Sequence, residues 1–599
     1  MERELIEDYG IIGDLHTVAL ISKRGSIDWL CLPRFDSNAC LARLIGSDEN
    51  GFWRITPKEP VIKYERRYLP RTLILETTFT TASGKVKVID FMPPRNSHPS
   101  IYRLVEGIDG VVDMTMELIV RFDYGTTVPW VRHMEGGLSM VSGSGGLAIS
   151  SNVALESEDF KTIANFQAIP GETQTFSAIY HDSITKPPAP HEARESFEHA
   201  FSFWQNYMNG CKPIFGEYQE VVERSIITLK ALTYQPTGAI VASPTTSLPE
   251  QIGGIRNWDY RYCWLRDATF TLYALMIDGF EREALKWREW LLRAAAGDPT
   301  QLQIMYGIGG ERLIPEFTIP WLSGYRDSAP VRIGNAASNQ FQLDVYGELM
   351  DAFYQFRRSG IKYSEESWHL QLVIVDFVAK NWDKPDEGIW EIRGPRRHFT
   401  YSKVMAWVVF DRAIKLVERY GMAGKDQEWR AIRDDIHKSI MANGYNEELG
   451  YFVQDYESTN LDASLLLLPL VGFIDAADPK MVRTAQAIDE RLSINNVVKR
   501  YETGESGEDG LPGDEGVFLA CSFWLVDNMV LAGKTKEAKI RFDKLLQLGN
   551  ELGLFSEEYD PNNLSMLGNF PQALTHVALI NTARNVTQEL SPAKHRTSS

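Results

Sequence analysis

The chain has 599 residues, 44% hydrophobic and 24% charged, the composition of a folded globular protein long enough for two to four domains. Its 80 acidic residues against 62 basic ones leave a formal net charge of -18, which argues against a nucleic-acid partner, because such partners select a basic face. No stretch approaches a membrane-spanning length, the acidic start from Met1 to Asp8 is unlike a secretion signal, and the five scattered cysteines contain no CxxC pair. A cytoplasmic protein with reduced thiols is expected, without membrane or nucleic-acid partners, and a homo-oligomer stays open.

The first third reads as β structure. Arg71 to Thr80 and Lys85 to Phe91 are rich in β-branched residues and flank a turn at Ser83-Gly84, which predicts a hairpin. Glycine-rich turns recur at Glu135-Gly136-Gly137 and from Ser142 to Gly146, so residues 1–190 are expected to form an antiparallel β-sandwich. Pro187, Pro188 and Pro190 end that region. Residues 191–217 read as a helical linker, with His191 to Met208 helical. From there to about 590 the pattern is helix after helix, with starts near residues 221, 267, 281, 338, 364, 401, 426, 461, 477, 516, 533 and 570. About twelve helices without a fixed repeat fit a closed ring of six helical hairpins, a six-fold α/α barrel, rather than a solenoid. Residues 591–599 are expected to be a flexible tail.

The densest chemical cluster runs from Asn257 to Asp267 and holds Trp258, Tyr260, Tyr262 and Trp264 with Arg261, Arg266, Asp259 and Asp267. Asp and Arg together grip neighbouring sugar hydroxyls by charge-assisted hydrogen bonds, and aromatic faces stack on sugar rings. The plainer alternative is an interface ion pair at a helix start. The irregular stretch from Gly307 to Asn335 is either a functional loop or an excursion onto the β domain. Trp390-Glu391 sets a carboxyl beside a ring that could desolvate it, as a general acid requires. Ser556-Glu557-Glu558-Tyr559-Asp560 is either a solvated turn or the source of a carboxylate base, and chemistry alone does not choose between Glu557 and Glu558. The acidic, glycine-rich loop from Arg500 to Gly516 lacks EF-hand spacing, no His/Cys group suggests zinc, and Gly307 to Gly310 lacks the Lys-Ser/Thr of a phosphate loop; no metal or cofactor is called for.

At these residues the chain resembles glycoside hydrolase family 15, the glucoamylase and trehalase family, over nearly its whole length. The segments carrying the resemblance are Glu7 to Asp14, Gly25 to Ser37, Ala239 to Ser247 and Trp264-Leu265-Arg266-Asp267. The resemblance implies a β-sandwich followed by an α/α barrel and an inverting, exo-acting hydrolase that releases β-D-glucose from a small α-glucoside. It implies Glu391 as general acid, Glu557 as general base, Arg266 and Asp267 gripping the terminal glucose, Tyr260, Trp264 and Trp390 as pocket aromatics, and Arg500 as a substrate-binding arginine. Where fungal members carry a second carboxylate after the acid, this chain has Ile392, then Arg393, so leaving-group recognition is expected to differ; trehalose, isomaltose and malto-oligosaccharides stay open. Two alternatives are an α-glucoside phosphorylase, with Arg393, Arg396 and Arg397 binding phosphate, and a non-catalytic sugar-binding protein.

Overall fold

The computed structural model describes residues 4–213, 216–294, 301–361, 364–502 and 509–587; the expected tail at 591–599 lies outside them. Two eight-stranded antiparallel sheets form the N-terminal part. One runs Tyr9–Gly13, Val18–Ser22, Ser26–Cys31, Phe52–Pro57, Val112–Ile119, Lys161–Ala168, Glu156–Glu158, with Ala39–Leu41 beside the third strand. The other runs Trp130–Met134, Gly137–Ser142, Gly145–Ser151, Thr173–Asp182, Ser100–Gly110, Gly84–Phe91, Leu75–Thr80, Lys63–Tyr68. The expected hairpin is present, with Thr80 paired to Lys85 across the Ser83-Gly84 turn.

Alternation along Gly84–Phe91 shows how the sheet is used on both faces. Val86 and Val88 enter the sandwich core, whereas Ile89 and Phe91, on the opposite face, lie under the helix Ala193–Met208 with its Phe197, Ala200 and Phe201. Phe166 and Phe176, from opposite sheets, approach to 5.4 Å between ring centroids. Between the sheets lies Arg103, fully buried, which donates to Asp90 at 2.7 Å, to the Trp53 carbonyl at 2.6 Å and to the Gly25 carbonyl at 2.8 Å. The far end of the helix reaches the second domain, where Tyr207 stacks on Phe280 at 4.5 Å.

The second domain is a ring. Leu265–Ile277, Asp344–Arg358, Thr400–Tyr420, Ala463–Leu467, Leu519–Leu531 and Ala573–Thr587 each touch the next, and the last touches the first. Around them lie Gln219–Ala231, Glu281–Ala294, Glu365–Ala379, Asp426–Asn443, Pro479–Leu492 and Thr535–Leu546. The two sets differ in pattern as burial demands. Every residue from Leu265 to Met276 is buried, whereas Glu281–Ala294 buries Ala284, Trp287, Trp290, Leu291 and Ala294 along one stripe.

Three of the expected helix starts are corrected. The segment near 461 is a 3-10 helix, Ala463–Leu467, not an α-helix; Pro469 has no N–H to carry the α pattern onward. The start near 338 moves to Asp344, because Ala336–Asn339 is a short 3-10 turn and the Leu343 N–H goes to Asp386 instead. The start near 516 moves to Leu519, because Val517–Phe518 pairs as a strand with Glu558–Asp560.

Arg103→Met should destabilise the sandwich by about 3 kcal/mol or more, since it leaves the Asp90 carboxyl and two carbonyls buried without their donor. A denaturant midpoint equal to the parent protein's would contradict this account of the sheet packing.

Candidate active site

The pocket lies at the end of the ring where the inner helices begin. Trp264, Phe518 and Gln572 each stand immediately before an inner helix and line it. That placement turns the positive dipole ends of these helices toward the space. Its empty volume is about 710 Å³, and all eight residues singled out from the sequence line it: Tyr260, Trp264, Arg266, Asp267, Trp390, Glu391, Arg500 and Glu557.

The loop before the helix Leu265–Ile277 splits the charged cluster into two jobs. Arg261 and Asp259 are the interface pair: both are fully buried, 2.7 Å apart, and Arg261 also donates to the Tyr124 hydroxyl and the Ser37 carbonyl of the sandwich at 2.9 Å each. Arg266 and Asp267 face the pocket. Arg266 donates to Asp267 at 2.8 Å and to the Ile389 carbonyl at 2.6 Å, and its guanidinium stands 3.5 Å from Glu391.

Glu391 sits in the left-handed backbone region, at φ 59°, a conformation that costs a non-glycine residue free energy and accompanies functional sites. Its Oε1 accepts the Trp264 indole N–H at 2.8 Å. Trp390, the neighbour expected to shield it, instead donates to Asp462 at 2.9 Å and packs on Phe518 and Trp524; the ring that contacts the Glu391 carboxyl is Trp264. Burial pushes the Glu391 carboxyl up, with the Arg266 charge opposing and Asp267 adding.

The Ser556–Asp560 segment is not a solvated turn. Glu557 and Glu558 are both buried, and successive residues point to opposite sides, so only Glu557 lines the pocket. Glu558 turns away to accept the Gly516 N–H at 2.9 Å. Gly568, at φ 71°, backs Glu557: a Cβ there would fall 2.7 Å from Glu557 Oε2. That oxygen takes no hydrogen bond within the described structure. Burial, with the Glu250 charge adding, pushes Glu557 up to about 8, against the pull of Arg500 and Tyr260.

Arg500 lies against the Trp390 ring at 5.7 Å and donates to Glu515 at 2.6 Å and to Glu250 at 3.0 Å. Glu250, Glu515 and Glu558 bring carboxylate oxygens within 4.8 Å of one another, close enough for a cation, but the Arg500 guanidinium already stands among them. The long stretch to Asn335 joins both expected roles: Glu316 pairs with Arg393 at the pocket, and Trp321 donates to the Tyr124 carbonyl of the sandwich.

Sequence reasoning missed Glu250, Arg256, Asp509 and Phe518 on the pocket wall, and passed over Trp258 and Arg393, which it had named. Trp258 carried a signal as one ring of the aromatic cluster. Glu250 carried none: it is a single carboxylate after Leu248-Pro249, buried only because a distant arginine meets it.

Comparison with known proteins agrees with this architecture. The family described as Glycosyl hydrolases family 15 matches residues 216–584, and the one described as Trehalase-like, N-terminal matches residues 2–165. The chain is 37% identical to a trehalase of Mycobacterium tuberculosis, across 97% of this chain and 89% of that protein. It is 33% identical to a trehalase of Thermoplasma volcanium, across 98% and 94%. A crystal structure of a bacterial glucoamylase complexed with acarbose superimposes with a TM-score of 0.76 at 14% identity, covering 100% of this chain and 97% of that one, and shares its fold. With a β-sandwich, an α/α barrel and a matched catalytic domain, the chain belongs to glycosyl hydrolase family 15 and is a glycoside hydrolase.

Proposed function

We propose that this hydrolase cleaves α,α-trehalose to glucose with inversion at the attacked carbon. The observation that carries the chemistry is the state of the pocket carboxyls. Asp267, Asp509 and Glu250 are each tied to an arginine at 2.7 to 3.0 Å, whereas Glu557 keeps an oxygen without a hydrogen-bond partner and Glu391 takes an indole N–H on Oε1 with Arg266 farther off, at 3.5 Å. Near full-length similarity to proteins named trehalase supports the choice of substrate.

In this reading Glu391, its carboxyl raised by burial, gives its proton to the glycosidic oxygen, and ionised Glu557 takes a proton from a water on the opposite face of the glucose ring. Burial raises Glu557 into the neutral range, the reverse of what a resting base needs. The attacking water would donate to the Glu557 carboxyl and, with Arg500, favour the carboxylate. Arg266 and Asp267 would grip the hydroxyls of the attacked glucose. Ile392 lines the pocket where a second carboxylate would stand, so an apolar contact and the Arg393 guanidinium face the leaving sugar. A cytoplasmic setting belongs to the same proposal, in keeping with five free cysteines and with the absence, among the described residues, of any helix long and apolar enough to cross a membrane. The phosphorylase reading gains no support: Arg393, Arg396 and Arg397 pair separately with Glu316, Glu387 and Asp455 and do not converge on one anion site.

Glu391→Gln and Glu557→Gln should each lower turnover by about a hundred- to ten-thousand-fold with an unchanged circular dichroism spectrum. Near-normal turnover in either variant removes that residue's role. Among trehalose, isomaltose, maltose and soluble starch, trehalose should give the highest kcat/KM. Early NMR spectra of the trehalose reaction should show α- and β-glucose in equal amounts; α-glucose alone would mean retention.

A further inference from the structure

Glu250 is 1% exposed, lines the pocket and belongs to no motif of the sequence. Its Oε2 accepts from Arg500 at 3.0 Å and its Oε1 from the Trp258 indole N–H at 3.1 Å, so one carboxylate ties two walls together. Its backbone is fixed as well, by the Gly516 N–H on its carbonyl and the Arg256 carbonyl on its N–H. We infer that Glu250 is a positioning residue for the hydrolysis: it holds Arg500 in place across the pocket, and its negative charge sets how readily the Glu557 carboxylate forms.

The reason is a local excess of carboxyls. Glu250, Glu515 and Glu558 are buried around the Arg500 guanidinium, Glu557 is buried within its electrostatic reach, and Arg256 stands 3.5 Å from Glu515. The second cation nearby, Arg256, stands 2.7 Å from Asp509, which also accepts the Tyr501 hydroxyl. Arg332 and Tyr260 lie within electrostatic reach of Glu250, and Arg332 is drawn off toward Glu316. Buried carboxyls that outnumber their cations cannot all ionise, so they titrate as a set. Arg500 lies nearest Glu515 and Glu250, at 2.6 and 3.0 Å, and opposes the burial that raises Glu250, while Glu558 is 3.4 Å away. The proton is thereby pushed toward Glu557 and Glu558, and burial followed by the Glu250 charge leads the causes that raise both. The charges that lead on Glu391 are instead Arg266 and Asp267.

The inference rests on the proposed role of Glu557, and pH profiles of kcat/KM on trehalose separate the two. Glu250→Gln keeps an acceptor for Arg500 but removes the charge. It should move one limb of the profile to lower pH by about one unit and leave the limb set by Glu391 in place. Glu250→Asp, which withdraws the charge by one methylene, should move the same limb the same way by less. If Glu250→Gln does not fold, the aspartate variant alone decides. A rate lowered equally at every pH, with neither limb moved, would overturn the inference and reduce Glu250 to a structural part. Loss of the Glu557 role would show independently, as near-normal turnover of Glu557→Gln.

Discussion

The Arg261 guanidinium is where both domains and the pocket are fixed to one another. It is fully buried, pairs with Asp259 within its own loop, and reaches the Ser37 carbonyl and the Tyr124 hydroxyl of the sandwich. A buried charge survives only if its donors are met, so this loop has one position relative to the β domain. Asp259 extends the tie by accepting the Gly334 N–H from the long segment that covers the pocket edge. Trp258, Tyr260, Trp264, Arg266 and Asp267 ride on that same loop. The sandwich therefore acts as a brace for the catalytic ring, reinforced by the Trp29 indole N–H on the Pro244 carbonyl at 2.8 Å.

Within the pocket the governing physics is charge on largely buried side chains. Electrostatic interactions there are stronger than in water, which suits the proposed transfers of one proton from a carboxyl to the glycosidic oxygen and another from water to a carboxylate. Arg266, Arg256 and Arg500 pair with the carboxylates beside them, and the proposed reaction assigns proton transfer to Glu391 and Glu557. The strained backbone at Glu391 and the close approach of Gly568 to Glu557 are the local cost of aiming those two side chains.

Much of this was legible in the chain. Hairpin signals around Ser83-Gly84, the change of character after Pro190 and the run of helical periods gave the two halves. Aromatic and charged clustering marked the Asn257–Asp267 loop. The misreadings share one cause, which is that local pattern does not report partners distant in sequence. The apolar run from Ser464 is the exception: it looked helical, but its own Pro469 shapes it into a 3-10 turn. Val517 and Phe518 looked like a helix start, but Glu558 and Tyr559 claim them as a strand. Trp390 was expected to lie against its neighbour Glu391, but the ring that hydrogen-bonds that carboxyl is Trp264, 127 positions away.

Sequence by itself determined which residue types were present and the two periodicities, so it determined the sandwich, the helical ring and the family resemblance. Tertiary structure alone decided the pairings. It turned Glu557 inward and Glu558 away, divided Arg261–Asp259 from Arg266–Asp267, and brought Glu250 beside Arg500 across 250 positions. Periodicity follows from neighbours along the chain and can be read there. The ionisation of a carboxyl follows from burial and from charges in space, which exist only once the chain has folded.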